Sequence, residues 1–342
     1  MTLAETFIST DAIEPSLRNE YWRDVTRPFC DTTPLPAAGR TTLEGTMRIR
    51  HLGGLTLGAT TFNAQCYKRD PATIARSGLD HFLVHVLVAG SIHGDFDKRE
   101  VVAGPGEICF IDLARPYKCQ VDDGARLAMT VPRASIGKIL GARDIHGLVL
   151  HAGKPMTSLL KDYLCGFHAV SGQLSASEDV AALEALTALL SASLANAAPL
   201  LHGPESVLGQ ALRARVIEYI DRHLAQSELG PGLLMQRFRV SRAHLYRAFA
   251  ELGGIAHVIK CKRLDAAYSL IVDPRLAGHP MRQIAAHFSF RDMPRFRKLF
   301  IARFGVTPDE ARERCRHAAP PINRDNVLSS HFSAHSPVPR AV

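Results

Sequence analysis

Between Leu233 and Arg312 one pattern is written twice: a short helix, a tight break, then a helix apolar on one side and basic on the other. The first copy runs from Leu234 to Ser241 and then from Arg242 to Phe249. The Ser241 hydroxyl is placed to cap the second helix by accepting from a free amide of its first turn. Leu245, Phe249 and Leu252 recur at helical spacing on one buried face, which turns Arg242, Ala243, Tyr246 and Arg247 outward. In the second copy, Ile284 to Phe290 and then Arg291 to Phe300, the apolar side is Phe296, Leu299 and Phe300. Arg295 and Lys298 share the opposite side, with Arg291 and Arg297 at its margins. Pro294 is tolerated because the amides of a first helical turn have no intrahelical partner.

Two helix-turn-helix units with cationic outer helices are suited to DNA major grooves. An ordinary bundle with solvated charges fits either copy alone, but fits the pair poorly. The connector from Ile255 to Val272 is about 18 residues and spans about 27 Å as a helix. Major-groove faces one turn apart lie about 34 Å from each other, so one chain is expected to read two adjacent grooves. Charge agrees with this. Residues 209–316 hold 20 Lys and Arg against 10 Asp and Glu, whereas residues 1–208 hold 19 against 22. The net charge of +8 therefore comes from the paired motifs, as a phosphate-binding module requires.

Val240-Ser241-Arg242-Ala243-His244-Leu245-Tyr246-Arg247-Ala248-Phe249, Arg263-Leu264-Asp265-Ala266-Ala267, Ile284-Ala285, Phe290-Arg291-Asp292, Phe296-Arg297-Lys298-Leu299-Phe300 and Phe304-Gly305-Val306-Thr307-Pro308 together resemble the AraC/XylS-type transcription regulators. The resemblance covers roughly 105 residues, from about Gln210 to Arg314. It departs from the family pattern at Met235 (usually alanine), Ser289 (usually glycine), Pro294 (often serine) and Lys298 (often arginine). It implies an all-α DNA-binding domain at 208–316, with helix-turn-helix units at about 231–251 and 281–304. The DNA-facing set is then Ser241, Arg242, Ala243, Tyr246 and Arg247 in one groove, and Arg291, Pro294, Arg295, Arg297 and Lys298 in the next.

The N-terminal part reads differently. After a helical start from Leu17 to Cys30, anchored by Trp22 and Phe29, and a Pro-rich break, short β-rich runs occupy residues 41–131. These are Leu43–His51, Leu55–Tyr67, His81–Ala89, Ile108–Asp112 and Leu127–Val131, with a hairpin expected at Gly90–Asp95. Such spacing predicts a β-sandwich or cupin-like barrel. The region resembles the AraC-binding-like sensor domain that precedes the DNA-binding module in part of the family. The expected fold is α+β in two domains: a barrel with flanking helices in residues 1–198, then the all-α domain. Helices are predicted at Ser135–Leu140, Met156–Val170 and Ser177–Leu194, a linker at 199–207 and a disordered tail at 317–342. Leu183, Leu186, Leu190 and Leu194 follow helical spacing and are read as a dimerisation seam, against the alternative of packing on their own barrel.

A largely apolar barrel pocket for a small-molecule effector is expected, with His81 and His85 on one strand face and Arg115 and Tyr117 at its mouth. The rival reading is a cupin-type metal-dependent enzyme using His81, His85 and Glu107, with the basic half as an accessory domain. The barrel lacks the His-x-His pair such sites carry, so no metal, no cofactor and no catalysis are expected. Seven cysteines without CxxC spacing point to free thiols in a reducing compartment. The start has no signal-peptide layout, and Val180–Leu201 is too polar for a membrane span. The expected protein is a cytoplasmic, nucleoid-associated, effector-responsive activator that binds double-stranded DNA as a homodimer and contacts RNA polymerase.

Overall fold

The structure is a computed structural model that describes residues 5–35, 41–52, 55–133, 144–197, 207–273, 276 and 278–317. The predicted helix at Ser135–Leu140, nearly all of the linker and the tail beyond His317 lie outside the described residues.

The N-terminal domain is built from two antiparallel sheets. The larger has the order β1 (Thr6–Ser9), β3 (Gly45–Leu52), β4 (Leu55–Phe62), β11 (Gly124–Pro132), β6 (His81–Ala89), β9 (Ile108–Asp112), β12 (Leu148–Leu150). The smaller has the order β2 (Asp31–Pro34), β5 (Gln65–Arg69), β10 (Tyr117–Val121), β7 (Ile92–Phe96), β8 (Arg99–Ala103). The central strands of the larger sheet are covered on both faces. One set of alternate residues (Leu83, Leu87, Cys109, Ile111) meets the smaller sheet and α1 (Arg18–Thr26). The other set (Phe82, Val84, Val86, Ile108, Phe110, Leu127, Met129) packs under α3 (Pro155–Val170) and α4 (Ala176–Asn196). Burial from both sides is why β6 reads as a continuous apolar run rather than an alternation.

Several expectations change here. The predicted run Leu55–Tyr67 is two strands in different sheets, broken at Asn63-Ala64, where the Ala64 amide donates to the Asp123 carboxylate (2.6 Å). The hairpin expected at Gly90–Asp95 turns instead at Asp97-Lys98, both at positive φ, so residues 92–96 are strand. The helix α2 (Pro71–Ser77) was not expected; Asp70 caps it by accepting from the Thr73 amide. Trp22 is fully buried, as its anchor role predicts, and its ring lies so close to Gly45 that a side chain there has no room.

The leucine seam is also corrected. Leu186, Leu190 and Leu194 are buried against the chain's own sheet and α3, with Leu183 packed at the margin. A dimer made through them would have to undo that packing. The spacing alone could not separate the two, because a seam and a packed face share one period.

The C-terminal domain comprises α5 (Val207–Arg222), α6 (Pro231–Phe238), α7 (Arg242–Ala248), α8 (Ile255–Ile271), α9 (Met281–His287), α10 (Met293–Phe304) and α11 (Pro308–His317). It holds two cores, one gathering α5, α6 and α7 on Leu234, Leu245 and Phe249, the other gathering α8 to α11 on Ala285, Phe296 and Phe300. Helix α8 contributes to both, through Ile255, Val258 and Ile259 at one end and Leu264, Ala267 and Ile271 at the other. It is the predicted rod. At 17 residues it is about 26 Å long. Among the described residues no helix is long and apolar enough to cross a membrane.

Candidate functional site

The two helix-turn-helix units repeat each other at an offset of 50 residues. In the first, Arg239 takes a left-handed conformation (φ 52°) and the Val240 amide closes on the Met235 carbonyl at 3.1 Å. In the second, Ser289 is left-handed (φ 66°) and the Phe290 amide closes on the Ala285 carbonyl at 2.9 Å. Each turn uses a non-glycine residue where glycine is unstrained, so the local backbone is held by the packed helices on either side. Ser241 caps α7 as predicted, accepting from the His244 amide at 3.2 Å.

All ten residues of the predicted DNA-facing set are exposed. On α7 the inward residues are Leu245 and Ala248, and Arg242 lies over the Tyr246 ring at 5.3 Å, so these two side chains form one cationic, aromatic ridge. On α10, Phe296 and Phe300 point inward, leaving Arg295 and Lys298 on the outer side. Arg297 differs from its neighbours because it is ion-paired with Asp309 at the start of α11. A further basic residue, Arg303, faces inward and clamps Asp265 of α8 through two contacts of 2.5 and 2.6 Å. That pair ties the second unit to the rod and explains the Arg263–Ala267 motif as architecture.

The N-terminal domain has a partly open cavity of about 60 Å³ between its sheets. His85 and Tyr117 of the predicted effector set line it. His81 is buried outside the lining. Arg115 is not a cation at the cavity mouth. It is held by Asp97 (2.6 and 2.9 Å) and Asp144 (2.7 and 2.8 Å). A sequence places Arg115 only two residues from Tyr117; it does not show that two acids from other loops claim it. Glu107, the third member of the rival metal set, bonds His151 Nδ1 (2.7 Å) and the Gly104 amide (2.9 Å) rather than joining His81 and His85.

Two residues with central places in the cavity were missed. Tyr67 donates to Gln65 (3.0 Å), which also accepts from Trp22 (3.1 Å). Arg126 of β11 donates to the Tyr67 hydroxyl at 3.3 Å and lies over the Phe62 and Tyr67 rings at 4.5 and 5.2 Å. Its position follows from the strand: Leu127, Met129 and Val131 pack under the helices, so Arg126, Ala128 and Thr130 face the cavity. A bulge between Ala125 and Arg126 re-aims the strand there. The signal was present as a cation in phase with the small inward residues, but the predicted strand began at Leu127, three residues after the start of β11, and so left Arg126 out. Burial first, then the Arg126 charge, drive His85 well below the usual imidazole range, so it is neutral at pH 7.

A family model described as AraC-binding-like domain matches residues 22–197, and one described as Helix-turn-helix domain matches residues 234–314. The transcriptional activator NphR of Rhodococcus sp is 24% identical over 302 residues, covering 85% of this chain and 87% of its own. The crystal structure of the AraC-like transcriptional activator CuxR matches with a TM-score of 0.53 at 24% identity, over 78% of this chain and 96% of that one. The chain belongs to the AraC-binding-like family, and it is a DNA-binding transcription regulator made of that domain and a C-terminal helix-turn-helix domain.

Proposed function

We propose that this regulator reads two adjacent major grooves with α7 and α10, that its N-terminal cavity takes a small-molecule effector, and that it acts as an activator. The observation that carries the reading is the exposure of Arg242, Tyr246, Arg247, Arg295 and Lys298 on the outer sides of two equivalent helices held by one rod. Arg and Lys there are suited to guanine O6 and N7, whereas Arg291 and Arg297 at the margins are suited to phosphate. Arg297 would first have to leave Asp309. Activation rests on what is named for NphR and CuxR, and would follow from contact with RNA polymerase by the DNA-bound chain.

A route from cavity to DNA-binding domain supports effector control. Tyr67, in the cavity lining, leads along β5 through Arg69 and Asp70 into α2. Helix α2 docks on the rod: Ala75 lies in the core of the second unit, and its carbonyl accepts from Ser269 Oγ at 2.6 Å. A ligand that moves Tyr67 then biases the seat of α8 between arrangements of different DNA affinity. The groove assignment is tested by Arg247→Ala in an electrophoretic shift against the DNA flanking the protein's own gene. Operator affinity is expected to fall by about 1–3 kcal/mol, with a smaller loss on random duplex. Equal losses on both would remove Arg247 from base reading.

A further inference from the structure

The cavity wall carries a charge that no acidic side chain among its described residues balances. Nε and Nη1 of Arg126 are buried and reach no hydrogen-bond acceptor among the described residues; the same holds for His85 Nδ1. Among the described residues no Asp or Glu lines the cavity. The lining groups that could become anions do not, because burial raises the thiols of Cys30 and Cys119 and the phenols of Tyr67 and Tyr117. The Phe62 and Tyr67 rings offset part of the cation, but a ring face leaves the N–H groups unsatisfied. The two polar groups are neighbours on one face: His85 stands opposite Ala128, and Arg126 is two residues along the same strand. Phe29, Met47, Ile49, Leu83, Ile92 and Ile111 supply the remaining, apolar wall.

We propose that the effector is a small organic carboxylate, its anionic head paired with Arg126 and accepting from His85, and its apolar part lying against the aliphatic wall. The proposal rests on the reading of this domain as the effector sensor and adds the chemical class. A guanidinium with two buried, unpartnered nitrogens is worth most to a ligand that brings the missing negative charge. The apolar wall favours an alkyl or aryl acid over inorganic phosphate. A neutral ligand would leave the cation as unpaired as before.

The full chain is titrated with butyrate, hexanoate and benzoate, with their primary amides and with inorganic phosphate, by calorimetry. Trp22, the only tryptophan, is linked to the cavity through Gln65 and Tyr67 and gives a local emission signal for the aliphatic pair. At least one acid is expected to bind tenfold or more tighter than its amide, and phosphate not to bind. Arg126→Met keeps much of the stem that lies against Phe62, so it is expected to weaken that acid at least tenfold without lowering the unliganded melting temperature. Binding of amides as tightly as acids, or of none of the three acids, overturns the carboxylate. So does an Arg126→Met chain that melts earlier yet binds the acid unchanged, since Arg126 would then be structural. Ala128→Leu fills the cavity and leaves the guanidinium in place, so it tests the underlying reading separately. If it abolishes regulation of a reporter while no acid binds, the sensor stands and only the ligand class fails. If it leaves regulation unchanged, the sensor reading itself fails.

Discussion

Replacing Arg69 by Met is expected to destabilise the N-terminal domain by about 3–5 kcal/mol. Arg69 is 1% exposed, and each of its three guanidinium nitrogens finds an acceptor in the fold. Nε donates to the Leu113 carbonyl (2.7 Å), Nη1 to Pro28 and Phe29 (3.0 and 2.7 Å), and Nη2 to Ser77 Oγ (2.8 Å). Methionine fills much of the space but leaves three carbonyls without that donor, each an unsatisfied group worth about 1–3 kcal/mol. Lysine should not rescue it, because a single ammonium cannot reproduce the planar fork across three segments. Trp22 lies in this domain, so its emission during urea unfolding reads the affected transition directly. A loss below about 1 kcal/mol would mean that solvent satisfies those carbonyls and that the joint between cavity and α2 is looser than described.

Phe296→Ala is expected to cost the C-terminal domain about 3–5 kcal/mol, the range for deleting a fully buried aromatic ring. Phe296 is 0% exposed and packs at 5.2 Å from Phe290 and 5.6 Å from Phe300; Phe300 in turn stacks on Tyr268 of the rod at 5.7 Å. Removing the ring leaves a void between α10 and α8, and Arg295 and Lys298 lose the platform that aims them. The change is read by far-ultraviolet circular dichroism, since the only tryptophan lies in the other domain. DNA binding is expected to fail while Trp22 emission retains its native unfolding midpoint. A parallel shift of the Trp22 transition would instead make the two domains one cooperative unit through α2 and Ala75.

The C-terminal domain was legible because each signal there is local. A cap at Ser241, helical spacing of Leu245 and Phe249, and cations on the remaining face all act within a few residues. The ten outward side chains therefore landed outside. What sequence could not supply was pairing over distance. Arg115 lies two residues before β10 and Arg126 lies within β11. One is taken by Asp97 and Asp144, brought in by other segments, while the other is left facing a cavity. Glu107 was grouped with His81 and His85 on residue type, yet its own turn and His151 claim it. The leucines of α4 show the same limit, since periodicity identifies an apolar face but not the surface that covers it. Helix α2 escaped notice for its length: 7 residues starting at a proline carry too little periodicity to stand out, although they form the contact between sensor and rod.

The central claim is that the positive charge of the C-terminal domain is arranged on α7 and α10 to grip neighbouring turns of duplex DNA. Its most direct test is the affinity of the full chain for the duplex flanking its gene, measured across salt concentration for wild type and for Arg291→Ala/Arg297→Ala, the two cations suited to phosphate. The account predicts that log affinity falls linearly with log salt, by about 0.9 for each phosphate neutralised, and that the double variant has a shallower slope by about one to two. A binding constant indifferent to salt, or a variant with the slope of wild type, would contradict it.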